Sequence, residues 1–315
     1  MYISQGYKGK IGLWKYFVIP IAIAVIVLFN NLMISVLGVD VNALMEEQYL
    51  TKGKNRFLAE MLLQFAFLLI VLLLWVKFVH KQTITSLTTS RKRVSWGRFW
   101  VGFALVAITL TTFTLVDFFV NPENYIVQFQ WEPFLIMLLI VIILMPLQTS
   151  FEEYFFRGYL LQGIGIMAKN RWIPLILTSV VFGLMHIANP EVGKLGNIIM
   201  VYYIGTGFLL GIMTLMDEGL ELALGFHAGN NMIAALLVTA DWTVFQTNSI
   251  LKDISEPSAG WDIVLPVLVL YPIYLIILAR IYKWNNWKEK LFGKVEKPIP
   301  VQDEDAPFNR IENTQ

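Results

Sequence analysis

Eight apolar runs long enough to cross a hydrocarbon layer about 30 Å thick divide this sequence and leave one architecture open to it. They cover residues 13–37, 57–79, 99–120, 134–167, 172–187, 198–216, 220–239 and 261–282. Inside lipid every backbone N–H and C=O must find its partner within the chain, which a helix achieves segment by segment. The expected fold is therefore all-α, a polytopic membrane helix bundle of about eight transmembrane helices within residues 1–283, with no second domain and no internal repeat. Composition agrees: 57% of residues are hydrophobic and 15% charged, against roughly 45–50% and 25% in soluble proteins. The first run exceeds the roughly 7 to 15 apolar residues of a cleavable signal, so it reads as a retained span.

Charge sets the expected orientation. Three Lys or Arg residues (Lys8, Lys10, Lys15) stand before or at the start of the first run, six (Lys77 to Arg98) from the end of the second to the start of the third, three around the fourth-to-fifth link and seven from Arg280, at the end of the eighth, to Arg310. These nineteen oppose five on the other side, Lys52, Lys54, Arg56, Lys194 and Lys252. By the positive-inside rule both termini are expected in the cytoplasm. Residues 284–315 are expected to form a cytoplasmic, disordered tail, polar and proline-containing from Gly293 onward. From Ile281 to Phe292, Trp284, Trp287 and Leu291 alternate with lysines, the composition of an interfacial helix end. The segments 40–56 and 121–131 read as external links without chemistry, and Arg91-Lys92-Arg93 as a topology signal. The net charge of +1 gives no global argument for nucleic-acid binding. With no cysteine in the chain, disulfides, thiolate metal sites and a cysteine nucleophile are excluded.

The fourth run carries Phe151-Glu152-Glu153-Tyr154-Phe155-Phe156-Arg157, two adjacent carboxylates and an arginine among apolar neighbours. An ionisable residue at the centre of a membrane helix costs about 2.5 to 3.5 kcal/mol, so its default reading is functional. On a helix Glu153 and Arg157 stand at i,i+4 with the acid first, the favourable order for an ion pair. Glu152 points about 100° away and is left as the unpaired carboxylate. The same spacing recurs in Phe182-x-x-x-His186 and in His227-x-x-x-Asn231, which puts an imidazole and a carboxamide on one face.

Depth agrees for the first two motifs. If the fourth span is one helix from Phe134 to about Met167, Glu152 lies about 22 Å from its end, and His186 lies about 22 Å from Arg171 at the start of the fifth. His227 and Asn231 come out shallower, about 10 and 16 Å from Leu220, a gap that tilt or a Pro146 kink closes. Asn189-Pro190 is expected to stop the fifth span just after His186.

Carboxylates and imidazoles in low dielectric take and return protons near neutrality. Glu152 with His186 makes a water-activating pair, and His227 with Asn231 offers two donors to the oxyanion of a tetrahedral intermediate. Together they suggest peptide hydrolysis within the membrane. A second reading uses Glu152, His186 and His227 as zinc ligands with one position left for water. It ranks lower because no His-Glu-x-x-His pair stands on one helix. Glu153 and Arg157 are assigned to structural support as a stapling ion pair, and Phe182 to packing against His186. His80 is expected to be solvated or at headgroup level beside Lys77 and Lys81. Asn197, Asn230, Asp217, Glu218 and Glu221 are expected near helix ends, where polar residues cost little. A transporter using the buried charges as a relay would favour broken helices and an inverted repeat, and neither is found.

Taken together, Glu152-Glu153-x-x-x-Arg157, Phe182-x-x-x-His186 and His227-x-x-x-Asn231 resemble the three signature motifs of the CAAX protease and bacteriocin-processing (CPBP, or Abi) family of intramembrane endopeptidases. The resemblance covers about 134–239, with every signature position occupied. It implies an intramembrane peptidase in which Glu152 and His186 activate water while His227 and Asn231 stabilise the oxyanion. It also implies a membrane-associated peptide or protein substrate and an integral protein of a bacterial cell membrane. The family resemblance names no certain cofactor and leaves zinc open. The alternative function is a non-proteolytic membrane scaffold or transporter-like protein.

Overall fold

The apolar runs fold as helices, and the polar segments between them add short helices and strands. The structure is a computed structural model that describes residues 1–12 and 14–298. A 3-10 turn Ile3–Lys8 leads to α1 (Lys15–Leu37), α2 (Val41–Lys52) and α3 (Lys54–Phe78). Then come α4 (Ile84–Thr88), α5 (Trp96–Val120), β1 (Tyr125–Val127) and α6 (Trp131–Glu153). α6 continues through π-helical turns at Tyr154–Leu160 into α7 (Leu161–Ala168). There follow α8 (Trp172–Leu184), α9 (Pro190–Leu195), α10 (Ile199–Asp217), α11 (Glu221–Leu237), β2 (Val238–Thr239) and β3 (Leu251–Asp253). Finally α12 (Trp261–Leu265) passes through π turns Pro266–Leu270 into α13 (Tyr271–Tyr282), and α14 (Trp287–Phe292) closes the described chain.

The chain is thus a polytopic helical bundle. Among the described residues, six helical runs are long and apolar enough to cross a membrane. One of them is the 38-residue run Trp131–Ala168, which matches the long fourth span expected from depth. The expected count of eight is not reached by length, because α8 has 13 residues and α11 has 17. α11 is packed within the bundle, buried without a break from Glu221 to Gly229, whereas α8 keeps Trp172, Ile176, Leu177, Val181 and Leu184 exposed. A helix enclosed by other helices is satisfied by protein contacts and is not held to the thickness of the bilayer.

Small residues let the two motif-bearing helices sit close to their neighbours, as expected for helix packing in membranes. A Cβ on Gly225 would overlap the Phe99 carbonyl, and one on Gly229 would lie 2.9 Å from the Phe103 oxygen, so α11 meets α5 backbone to backbone. Gly225 and Gly229 stand one turn apart on one face, and His227, about 200° from each, occupies the opposite side. α8 and α10 approach in the same way, since a Cβ on Gly207 would lie 2.5 Å from the Ser179 oxygen.

Three short strands join the loops at one end, with β1 antiparallel and β2 parallel to β3. At the other end two sequence expectations need correction. Asp217 and Glu221 do not sit in cheap helix-end surroundings: their side chains are 1% exposed. Arg91 bonds both, at 2.7 and 3.0 Å, and Arg98 bonds Asp217 at 2.9 Å. The start of α5 folds over the α10–α11 turn and encloses these acids. Glu218 beside them takes Arg171, Lys290 and the Tyr2 backbone N–H.

His80 is likewise not solvated but 2% exposed, its ring tilted against Tyr16 at 4.3 Å and edge-on to Tyr159 at 5.5 Å. The N-terminal segment covers it, Lys10 N–H bonding the His80 carbonyl at 2.5 Å. Burial, helped by the nearby Lys15 charge, pushes its pKa down to about 4. Beyond α14, Val295 is buried and its N–H bonds the Lys169 carbonyl at 3.0 Å. The remainder of the expected disordered tail, 299–315, lies outside the described residues.

Candidate active site

The site begins where α6 passes into its π turns, a widening that often marks functional positions. Glu153 and Arg157 are both fully buried and bond at 2.9 Å. Glu153 Oε1 also meets Nδ1 of His227 at 2.8 Å, so this carboxylate joins the long fourth span to α11. Arg157 donates from Nη2 to the Gly207 carbonyl at 3.2 Å and lies 4.2 Å above the Phe182 ring. A guanidinium buried from solvent is thereby held by a carboxylate, a carbonyl and an aromatic face.

Among the described residues Glu152 has no Lys or Arg partner, as its position on the helix predicts, but it is not isolated. Gln148, one turn earlier, donates to its Oε1 at 2.6 Å and accepts from the Asn231 amide at 3.2 Å. Gln148 therefore ties the carboxylate of the first motif to the carboxamide of the third. Among the described residues Glu152 Oε2 is buried without a hydrogen-bond partner, and the nearest charged or titratable nitrogen is His227 Nε2 at 3.5 Å. With Nδ1 donating to Glu153, Nε2 of His227 is a donor in the imidazolium form and a lone pair in the neutral one.

His186 lies in the turn just after α8 and not inside it. Its own N–H turns to the Gly183 carbonyl, leaving the Phe182 carbonyl to accept Nδ1–H of the imidazole at 2.9 Å. The ring thus caps the helix with one nitrogen and keeps Nε2 for other chemistry. It stacks on Tyr203 of α10 at 4.4 Å. Phe182 packs against both imidazoles, 5.0 Å from His186 and 5.9 Å from His227.

Glu152, His186, His227 and Asn231 all line one cavity of about 370 Å³, whose other walls include Phe151, Phe155 and Phe156. The zinc set Glu152, His186 and His227 fits less well. Among the described residues no three His, Cys, Asp or Glu side chains stand close enough to share an ion. The carboxylate that orients the His227 ring is the kind of support that metal-bound histidines use, but only Glu152 approaches that ring from the cavity side.

A model of the Rce1-like proteins, type II CAAX prenyl endopeptidases, matches residues 129–233, which include all three motifs. The uncharacterized protein YyaK of Bacillus subtilis (strain 168) is 32% identical over 219 residues, 68% of this chain and 71% of that protein. The chain belongs to the Rce1-like family. No solved structure matches it. Membership supports an intramembrane endopeptidase in general terms and a membrane-associated peptide as the general substrate class.

Four residues of the cavity escaped the sequence reading. Gln148 carried a usable signal, a polar residue one turn before Glu152 in an apolar run. Asn230, expected near a helix end, lies within α11, lines the cavity and donates to Asn231 at 3.1 Å. Tyr203 and Glu191 belong to no motif, and only the fold brings them to His186.

Proposed function

We propose that this chain is an intramembrane endopeptidase that hydrolyses a peptide bond with water activated by Glu152 and His186, in an oxyanion hole formed by His227 and Asn231. The observation that carries this reading is the meeting of these four side chains, from α6, the turn after α8 and α11, around one cavity inside the bundle. Glu152 Oε2 accepts a proton from the water as its oxygen attacks the scissile carbonyl, and Nε2 of His186 orients that water as a second acceptor. Nε2–H of the His227 imidazolium and the Asn231 amide then face the developing oxyanion. Glu153 fixes the His227 ring from behind, and Arg157 holds Glu153 in place. Phe151, Phe155 and Phe156 line the cavity with apolar surface, which suits a lipid-bearing or hydrophobic peptide tail in the bilayer. The family description, CAAX prenyl endopeptidase, points to the same substrate class.

The test compares membrane peptidomes of cells carrying the wild-type protein with cells carrying Glu152→Ala. Peptides with new C-termini present only with the wild type are expected. Identical peptidomes at equal protein levels would refute the proposal and favour a scaffold role.

A further inference from the structure

Peptide hydrolysis needs a proton at its end as well as a base at its start, because the leaving nitrogen must be protonated as the C–N bond breaks. The two groups assigned to the water, Glu152 and Nε2 of His186, both begin as acceptors. A second carboxyl shares their cavity. Glu191, near the start of α9, is 8% exposed, its Oε1 accepts the Val244 N–H at 2.8 Å, and its Oε2 is buried without a partner among the described residues. It lines the cavity together with His186, Asn189 and Tyr203. Asn189 donates to the Tyr203 hydroxyl at 3.4 Å, and that ring stacks on His186, so Glu191 and the imidazole share one wall. The titratable groups that face Glu191 are His186 from the turn after α8, Tyr203 from α10 and Tyr49 from α2. Lys194 on its own helix is exposed. Burial pushes the Glu191 carboxyl up from the ordinary carboxylate range, with the Val244 bond and His186 acting the other way.

Building on the endopeptidase reading, we propose that Glu191 is the acid of the reaction and gives the proton on its Oε2 to the leaving nitrogen. The water oxygen bonds to the carbonyl carbon and its proton goes to Glu152. The C–N bond breaks and the nitrogen takes the Glu191 proton. Glu152 then returns its proton to the Glu191 carboxylate through water, and both groups are reset. Two carboxyl groups in one site thereby hold opposite protonation states at the start of the cycle, a common division of labour in hydrolytic enzymes.

Glu191→Gln separates this role from a structural one, because the amide oxygen still accepts from Val244 N–H but the side chain has no proton to give up. Yield and Tm are expected to match the wild type, whereas peptides with new C-termini in the membrane peptidome fall by about 100-fold or more. Infrared difference spectra of the purified proteins at pH 7 are expected to contain a protonated-carboxyl band in the wild type that Glu191→Gln lacks. Absence of that band, or a fall in Tm that accounts for the lost products, overturns the proposal. If Glu152→Ala abolishes the products and Glu191→Gln leaves them, this proposal alone fails. If Glu152→Ala changes nothing, the endopeptidase reading fails with it.

Discussion

Glu153 accepts from Arg157 and from His227 with no solvent near it, so removing its charge leaves a guanidinium buried without a counter-ion. Breaking one side of such a pair costs about 3 to 5 kcal/mol. Glu153→Gln and Arg157→Met are expected to lower both the yield of detergent-solubilised protein and its Tm, while Glu152→Gln leaves them near wild type. Finding Glu152→Gln the least stable of the three would contradict the assignment. His80 gives a pH prediction. Its pKa falls from about 6.5 in an unfolded chain to about 4 here, so between these values the unfolded chain binds the extra proton. Its contribution is full above about pH 6.5 and is lost as pH falls towards 4. Tm should therefore decline over that window, and less steeply in His80→Gln; equal slopes would remove His80 as the cause. The ion pair at 153 and 157 was legible in the sequence because i,i+4 spacing is a local property. The burial of His80 was not, because it depends on Tyr16 and Tyr159, which lie far from it in the chain.

Among the elements, α11 has the tightest seat. Gly225 touches the Phe99 backbone, so Gly225→Leu must push α11 away from α5 and carry His227 off its bond to Glu153. A drop in Tm is expected, together with loss of any activity, whereas Gly193→Ala, which meets open space, should change neither. If Gly225→Leu melts like the wild type, backbone contact is not what seats the helix. The long fourth span was legible because its apolar run and its depth argument agree. The shortness of α8 was not, since its apolar run continues to Ile187 while the backbone already turns at His186 to expose the Phe182 carbonyl to the imidazole. The β1–β3 pairing joins loops more than 100 residues apart, which no local pattern announces.

For the whole molecule, the cation count predicts that both termini face the cytoplasm. Reporter fusions at Met1 and Gln315 should report the inner side from both ends, and an external signal from either would overturn the orientation. The motifs announced which residues meet, because carboxylate, imidazole and carboxamide are costly in lipid and conspicuous there. They did not announce Gln148 as the bridge or Glu191 on the facing wall, because those roles exist only once four separate helices have been packed. The central claim is that Glu152 activates a water that cuts a peptide bond within the bundle. Membranes containing wild-type protein or Glu152→Gln, incubated in oxygen-18 water, test it most directly. Heavy oxygen is expected in newly formed peptide C-termini with the wild type and none above background with the variant; equal labelling in the two would rule out Glu152 as the group that activates the water.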